Sequence, residues 1–167
     1  MKLLDFLIKL LPTKPVFAHC DIPCGIYDPH EMQMAAHSVI RINNLINELK
    51  ASSAEPPFEE RKKIISQISR LTNVKEEHAE IVKREVRIIW GDYFKEENSK
   101  DVPDLHEKVW KILKLASKAK QEVDEKVAQD LLAAVQEFAE IFWKSKSMEP
   151  VRIPSGYPTE GEMVSHK

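Results

Sequence analysis

His19-Cys20-Asp21-Ile22-Pro23-Cys24-Gly25-Ile26-Tyr27-Asp28-Pro29-His30-Glu31 joins a cluster of metal-binding side chains to the start of a helix. Its end carries the helix signal: Asp28 can cap, Pro29 takes the first helical position, and Glu31 stands three residues after the cap, as in a capping box. Met32, Ala35, Ala36, Val39, Ile42, Ile46 and Leu49 then recur at helical spacing to about Lys50. Pro56-Pro57 restarts the chain, and Ile64, Ile65, Ile68, Leu71, Val74, Ile81, Val82, Ile88 and Ile89 mark a long second helix ending near Trp90-Gly91. A third follows Pro103, with Leu105, Val109, Ile112, Ala116 and Ala119 on one face. The fourth carries Val123, Val127, Leu131, Ala134, Phe138, Ile141 and Phe142.

Each predicted helix has one apolar stripe, and the joins near residues 52–57, 98–102 and 121 are short. The pattern predicts an all-α fold, an antiparallel four-helix bundle preceded by a metal-binding hook. No strand-period segment of useful length is present. The tail from Ser147 holds Pro150, Pro154, Gly156 and Pro158 without helical period, so it is expected to be disordered or an extended arm lying on another subunit.

The first half of the opening stretch carries the chemistry. Both cysteines of the chain lie there, four positions apart, with a histidine directly before the first. Cys20 and Cys24 can supply two thiolates, and His19 an imidazole. A cut before His19 adds a free α-amine, and the Cys20 amide nitrogen lies between that amine and the first thiolate. These atoms can form fused chelate rings with two nitrogens and two sulfurs near a plane. Such a geometry points to nickel or copper rather than tetrahedral zinc. The hook also precedes the positive end of the first helix, which favours thiolates and an anionic substrate.

Composition narrows the class further. Lys and Arg number 25 against 27 Asp and Glu, a formal charge of −2 with no basic block, which argues against a nucleic-acid binder. Two cysteines are too few for a disulfide-built scaffold. The most apolar stretch, Leu3 to Leu11, is too short to span a bilayer and carries Asp5 and Lys9. The same charges make residues 1–18 a poor secretion signal, so the protein is expected in the cytoplasm, with export left open.

The run His19-Cys20-x-x-Pro23-Cys24-Gly25-x-Tyr27 resembles the hook of the nickel superoxide dismutase family. The likeness continues in Trp90-Gly91-Asp92-Tyr93-Phe94-Lys95, Pro103-Asp104-Leu105-His106 and Ile141-Phe142-Trp143, and so runs from His19 to about Lys146. It implies three parts: a leader over 1–18, a dismutase domain over 19–146 with its hook at 19–29, and a tail over 147–167. It also implies a nickel cofactor, superoxide as substrate, a maturation protease and a homohexamer.

By the same resemblance Cys20 and Cys24 are the thiolate ligands, and Cys20 also ligates through its amide nitrogen. His19 gives its amine, and its imidazole in the oxidised state. Tyr27 and Tyr93 are assigned to the pocket over the open metal face, and Lys95 to guiding superoxide inward. Two positions depart from the family. Family members hold the ligand imidazole with a Glu in the first helix and an Arg in the second, where this chain has Ala35 and His78. His78 is read either as a core histidine or as a replacement group orienting the His19 imidazole, backed by Glu80 or Glu85. A reading from a different class also stands: a helical-bundle interaction protein whose Cys/His hook is a redox or zinc switch. That reading requires no free His19 amine.

Overall fold

The computed structural model describes residues 21–23 and 25–167; the leader, His19, Cys20 and Cys24 lie outside the described residues. Four long helices form where the apolar periodicity places them: α1 (His30–Asn47), α2 (Phe58–Ile88), α3 (Leu105–Gln121) and α4 (Glu125–Ser145). α1 packs on α2, α2 on α3, α3 on α4, and α4 returns to α1. The result is an antiparallel ring of four neighbours, as short connections demand. Its core is Met32, Ala36 and Val39 of α1, Ala79, Val82 and Val86 of α2, Val109, Ile112 and Ala116 of α3, and Leu131, Val135, Phe138 and Phe142 of α4.

The ends follow local chemistry. The Asp28 carboxylate accepts the His30 N–H at 2.7 Å, as a cap should. Glu31 does not complete the capping box; it pairs with Arg84 of α2 at 3.0 Å instead. Asp124 caps α4 by accepting the Val127 N–H at 3.0 Å. At the other end of α3, the buried Lys75 ammonium donates to the Glu122 carbonyl, satisfying an acceptor that the helix terminus leaves open. Burial lowers the Lys75 pKa, opposed by the charges of Glu76 and Glu122.

That contact, with the bond from Asn43 Nδ2 to the Asp124 carbonyl at 3.0 Å, marks where the α3–α4 turn crosses α1 and α2. The first half of α2 runs past this turn, and among the described residues it meets the end of α1 and the connection at Ser52, which bonds to Glu60. Ile65 and Ile68, expected on the buried stripe, are therefore 66% and 38% exposed.

Three features depart from the sequence reading. α2 does not stop at Trp90-Gly91 but widens into a π-helical turn, Ile89–Tyr93, closed by the Phe94 N–H on the Ile89 carbonyl at 3.2 Å. A single helical turn, Asn98–Asp101, occupies part of the predicted loop. The tail contains the strands that periodicity did not show: β1 (Pro150–Pro154) and β2 (Glu162–His166) pair antiparallel, with Arg152 opposite Val164. Among the described residues this hairpin lies on α4 and α1 of its own chain, with Met163 and Val164 buried. The turn between its strands, rich in Gly and Pro, hid a period of two that lasts only five residues per strand.

Candidate metal centre and its surroundings

The site lies at the end of the bundle where the hook exit, the π turn and the end of α4 meet. The exit begins with a tie: the Asp21 N–H donates to Asp92 Oδ2 at 2.8 Å. The Ile26 N–H then donates to the Pro23 carbonyl at 3.1 Å and closes a four-residue turn. Gly25 is the third residue of that turn at φ +90°, the left-handed position that a side chain resists. No peptide bond among the described residues is cis, so Ile22–Pro23 is trans rather than the cis bond that Pro23 permits.

Tyr27 is buried, and its ring stands 5.6 Å from that of Tyr93. Tyr93 belongs to the π turn and packs on Phe142 at 4.8 Å and edge-on to Phe94 at 5.1 Å. Its hydroxyl lies 2.9 Å from Ser145 Oγ. Because the Ser145 hydroxyl donates its one proton to the Phe142 carbonyl at 2.7 Å, Tyr93 is the donor to Ser145. The Tyr93 oxygen therefore keeps its lone pairs for accepting.

Lys146, the residue that ends α4, covers this aromatic group. Its ammonium sits 4.7 Å from the Phe142 ring centre, 5.7 Å from Trp143 and 5.8 Å from Tyr93, and donates to the Tyr27 carbonyl at 3.4 Å. A cation over ring faces is held by their quadrupoles, so the positive charge stays at the site, with no carboxylate partner among the described residues.

Two tyrosines named from sequence are thus brought together, and Lys95 is not. Lys95 is exposed beyond the π turn, where its backbone N–H meets Asn98 Oδ1 at 2.8 Å and its ammonium makes no ion pair among the described residues. His78 is half-buried; its Nδ1 lies 2.8 Å from the Val74 carbonyl one turn earlier, so Nδ1 carries the proton and Nε2 is left as acceptor. Ala35 is buried in the core. Among the described residues no three His, Cys, Asp or Glu side chains gather as a metal site. The ligands expected from sequence, His19, Cys20 and Cys24, fall outside the described residues.

Sequence reasoning left Asp92, Ser145 and Lys146 without roles. Asp92 stood in the quoted Trp90–Lys95 run, but a carboxylate in a helix end reads as solvated. Lys146 follows Ile141-Phe142-Trp143 directly, and its ring contacts depend on where α4 ends. The expected help from the α1 dipole is also reduced: Asp28 takes the His30 amide and Glu31 adds a second carboxylate to the first turn.

The remaining tryptophans and His106 resolve individually. Trp143 is buried, and Trp110 is 61% exposed with Lys114 over its ring at 5.5 Å. The Trp90 indole N–H donates to His106 Nδ1 at 2.9 Å, tying the π turn to the start of α3.

The donor set can be tested against nickel. Two thiols and an imidazole within six residues supply soft sulfur and borderline nitrogen, the combination that divalent nickel accepts. The Asp21 N–H is engaged by Asp92, so that nitrogen is protonated and unavailable as a ligand. The residues present fit the metal.

Comparison with known proteins reaches the same place independently. Residues 14–146 match the family model described as nickel-containing superoxide dismutase. The superoxide dismutase [Ni] of Streptomyces coelicolor is 36% identical over 135 residues, covering 81% of this chain and 93% of that protein. Its counterpart in Streptomyces seoulensis is 34% identical over the same shares. Among solved structures, native nickel superoxide dismutase is similar with a TM-score of 0.63 at 33% identity, covering 77% of this chain and 99% of that one. A nickel-containing superoxide dismutase with ligation corresponding to the oxidised state gives 0.64 at 31% identity over the same shares.

Proposed function

The chain belongs to the nickel-containing superoxide dismutase family, as a nickel-dependent oxidoreductase that converts superoxide to oxygen and hydrogen peroxide, and from that premise we propose that His19, Cys20 and Cys24 hold its metal. Removal of the leader, residues 1–18, by a maturation protease frees the His19 amine as a ligand. Nickel bound there supplies a one-electron couple that thiolate and amide donors bring within reach of superoxide.

The chain's own residues position and protect that centre. The observation supporting the assignment is the joining of Asp21 to Asp92 beside the Tyr27–Tyr93 pair, which ties the hook exit to the π turn. Tyr27 and Tyr93 restrict access to the metal face and order water there; the Tyr93 oxygen accepts, since its proton is committed to Ser145. Lys146 and the more distant Lys95 supply positive potential for an anionic substrate. His78 Nε2, free to accept, orients the His19 imidazole where Ala35 offers no carboxylate. His78→Ala then shifts the metal's electronic spectrum while the helices stay intact, and an unchanged spectrum assigns His78 to its helix alone.

Homohexameric assembly in the cytoplasm completes the proposal. Ile26 beside the hook is 72% exposed, and Phe58 and Ile65 on the overhanging half of α2 are 67% and 66% exposed, apolar surface that neighbouring copies would cover. No helix among the described residues is long and apolar enough to cross a membrane.

The deciding experiment pairs the full chain with a version beginning at His19, each loaded with nickel under reducing conditions. Superoxide removal and a nickel(III) paramagnetic signal in the His19 version alone establish the ligand set. Silence in both, with helices folded and metal bound, favours instead a catalytically silent relative that has lost its imidazole support, or the redox or zinc switch.

A further inference from the structure

Residues 147–167 lie beyond the region that the family model spans, yet they reach the base of the hook. The link is Gln33, wholly buried at the start of α1. Its Nε2 donates to the Pro29 carbonyl at 3.2 Å and to the Val164 carbonyl at 3.0 Å. Its Oε1 accepts the Val164 N–H at 2.7 Å. Pro29 is where the hook exit enters α1, and Val164 is the middle residue of β2.

In an antiparallel pair both backbone groups of a residue point either at its partner or away from it. Those of Val164 face Gln33, so they point away from Arg152, its partner in register. The carboxamide therefore covers the outer edge of β2 as a third strand would. Only an amide side chain offers two N–H donors together with an acceptor, which is what these three bonds require.

The hairpin that presents Val164 is itself held firmly. The Glu162 carbonyl accepts from Gln136 Nε2 at 2.6 Å and from His37 Nε2 at 3.1 Å. The Arg152 guanidinium reaches Glu140 at 2.7 Å and Gln136 Oε1 at 3.1 Å. The His166 ring packs against Trp143, tilted by 50° with ring centres 4.1 Å apart.

We infer that the C-terminal hairpin is a positioning element for the metal hook, and that Gln33 is the residue through which it acts. The hairpin fixes the Gln33 amide, and the amide fixes the Pro29 carbonyl at the base of the hook. The effect on nickel rests on the ligand assignment proposed above; the mechanical link does not.

Two substitutions in the full-length chain, and in the chain beginning at His19, test this. Gln33→Met keeps length and burial and removes all three hydrogen bonds. Val164→Pro removes one and leaves α1 untouched; the lost N–H is not part of the β1–β2 ladder. Amide hydrogen exchange of the metal-free protein is followed in residues 21–30, in the hairpin and in α2. The expected result for both variants is exchange about tenfold faster at the Ile26 and His30 amides, with α2 unchanged. Nickel release to a chelator from the His19 chain is about tenfold faster with Gln33→Met.

Faster exchange in the hairpin with wild-type rates over residues 21–30 overturns the inference. So does unchanged nickel release when those residues have loosened. Should Gln33→Met unfold throughout, Val164→Pro carries the decision. A wild-type His19 chain that fails to retain nickel overturns the ligand assignment instead, and exchange alone then decides the coupling.

Discussion

Asp21 and Asp92 are 71 positions apart in sequence, and the N–H of the first donates to the carboxylate of the second at 2.8 Å. This bond connects the segment leaving the proposed ligands to the π turn that carries Tyr93. The acceptor is charged, and the pair is exposed, so the bond contributes about 1 kcal/mol. Asp92→Ala is expected to leave helical circular dichroism unchanged and to speed nickel release about fivefold, the equivalent of that energy. Equal release rates would separate the hook from the π turn.

Gly91 sits in the same turn, inside the quoted signature, but its backbone φ is ordinary and a Cβ there meets nothing within 4 Å. Gly91→Ala should raise stability by about 0.5–1 kcal/mol through the unfolded chain's lost freedom, with dismutase activity retained. Thermal denaturation checks this, and a clear destabilisation would show that the turn needs a glycine for a contact not present within the single chain.

Lys95 is exposed and carries no ion pair among the described residues, so its influence on the substrate is long-range. Lys95→Gln should lower kcat/KM two- to threefold at about 10 mM salt, where the screening length is about 30 Å, and by little near 0.5 M. A deficit independent of ionic strength would point to contact rather than steering.

His37 connects pH to the hairpin. Its Nε2 donates to the Glu162 carbonyl, Nδ1 meets the Thr159 hydroxyl at 2.8 Å, and its ring lies edge-on to Tyr157. Burial, the larger influence, lowers its pKa below 6.5 against the raising effect of the Glu162 contact, and Arg41 lines the same cleft. The unfolded chain therefore binds a proton before the folded one does, and stability is full above pH 6.5 and falls as the pH drops below it. Protection factors of the amides in residues 155–162, corrected for the intrinsic exchange rate at each pH, should fall between about pH 7.5 and 5.5 in wild type and stay level in His37→Gln.

The bundle was legible in sequence because each helix needs only one apolar stripe, and Met32 through Phe142 carry those stripes at regular spacing. Asp28 and Pro29 likewise announced α1, since a cap acts on backbone two residues away. What escaped notice depends on distance. Ile65 and Ile68 have the same periodicity as Val82, but whether a stripe is covered depends on where α3 and α4 turn. His37 lies off the α1 stripe and is buried only because a hairpin 120 residues later folds over it. In the site, the pairing of Tyr27 with Tyr93 followed from motifs already read as one unit. The positions of Asp92 and Lys146 depend on where the π turn and α4 end, which no local pattern encodes.

The π turn fits one more residue into its loop of backbone than an α-helical turn would. Deleting Ile89, Trp90 or Gly91 would close the turn to α-helical width and change the register at which the next residues leave α2 by up to about 100°, moving Tyr93 off Tyr27 and Asp92 off Asp21 together. Residues 50–57, an exposed connection carrying no such register, should by contrast accept insertions freely. In a lineage of such chains, length would be the inherited quantity in the first segment and a free variable in the second, so an alignment gap in the π turn would mark loss of the centre more surely than any substitution within it.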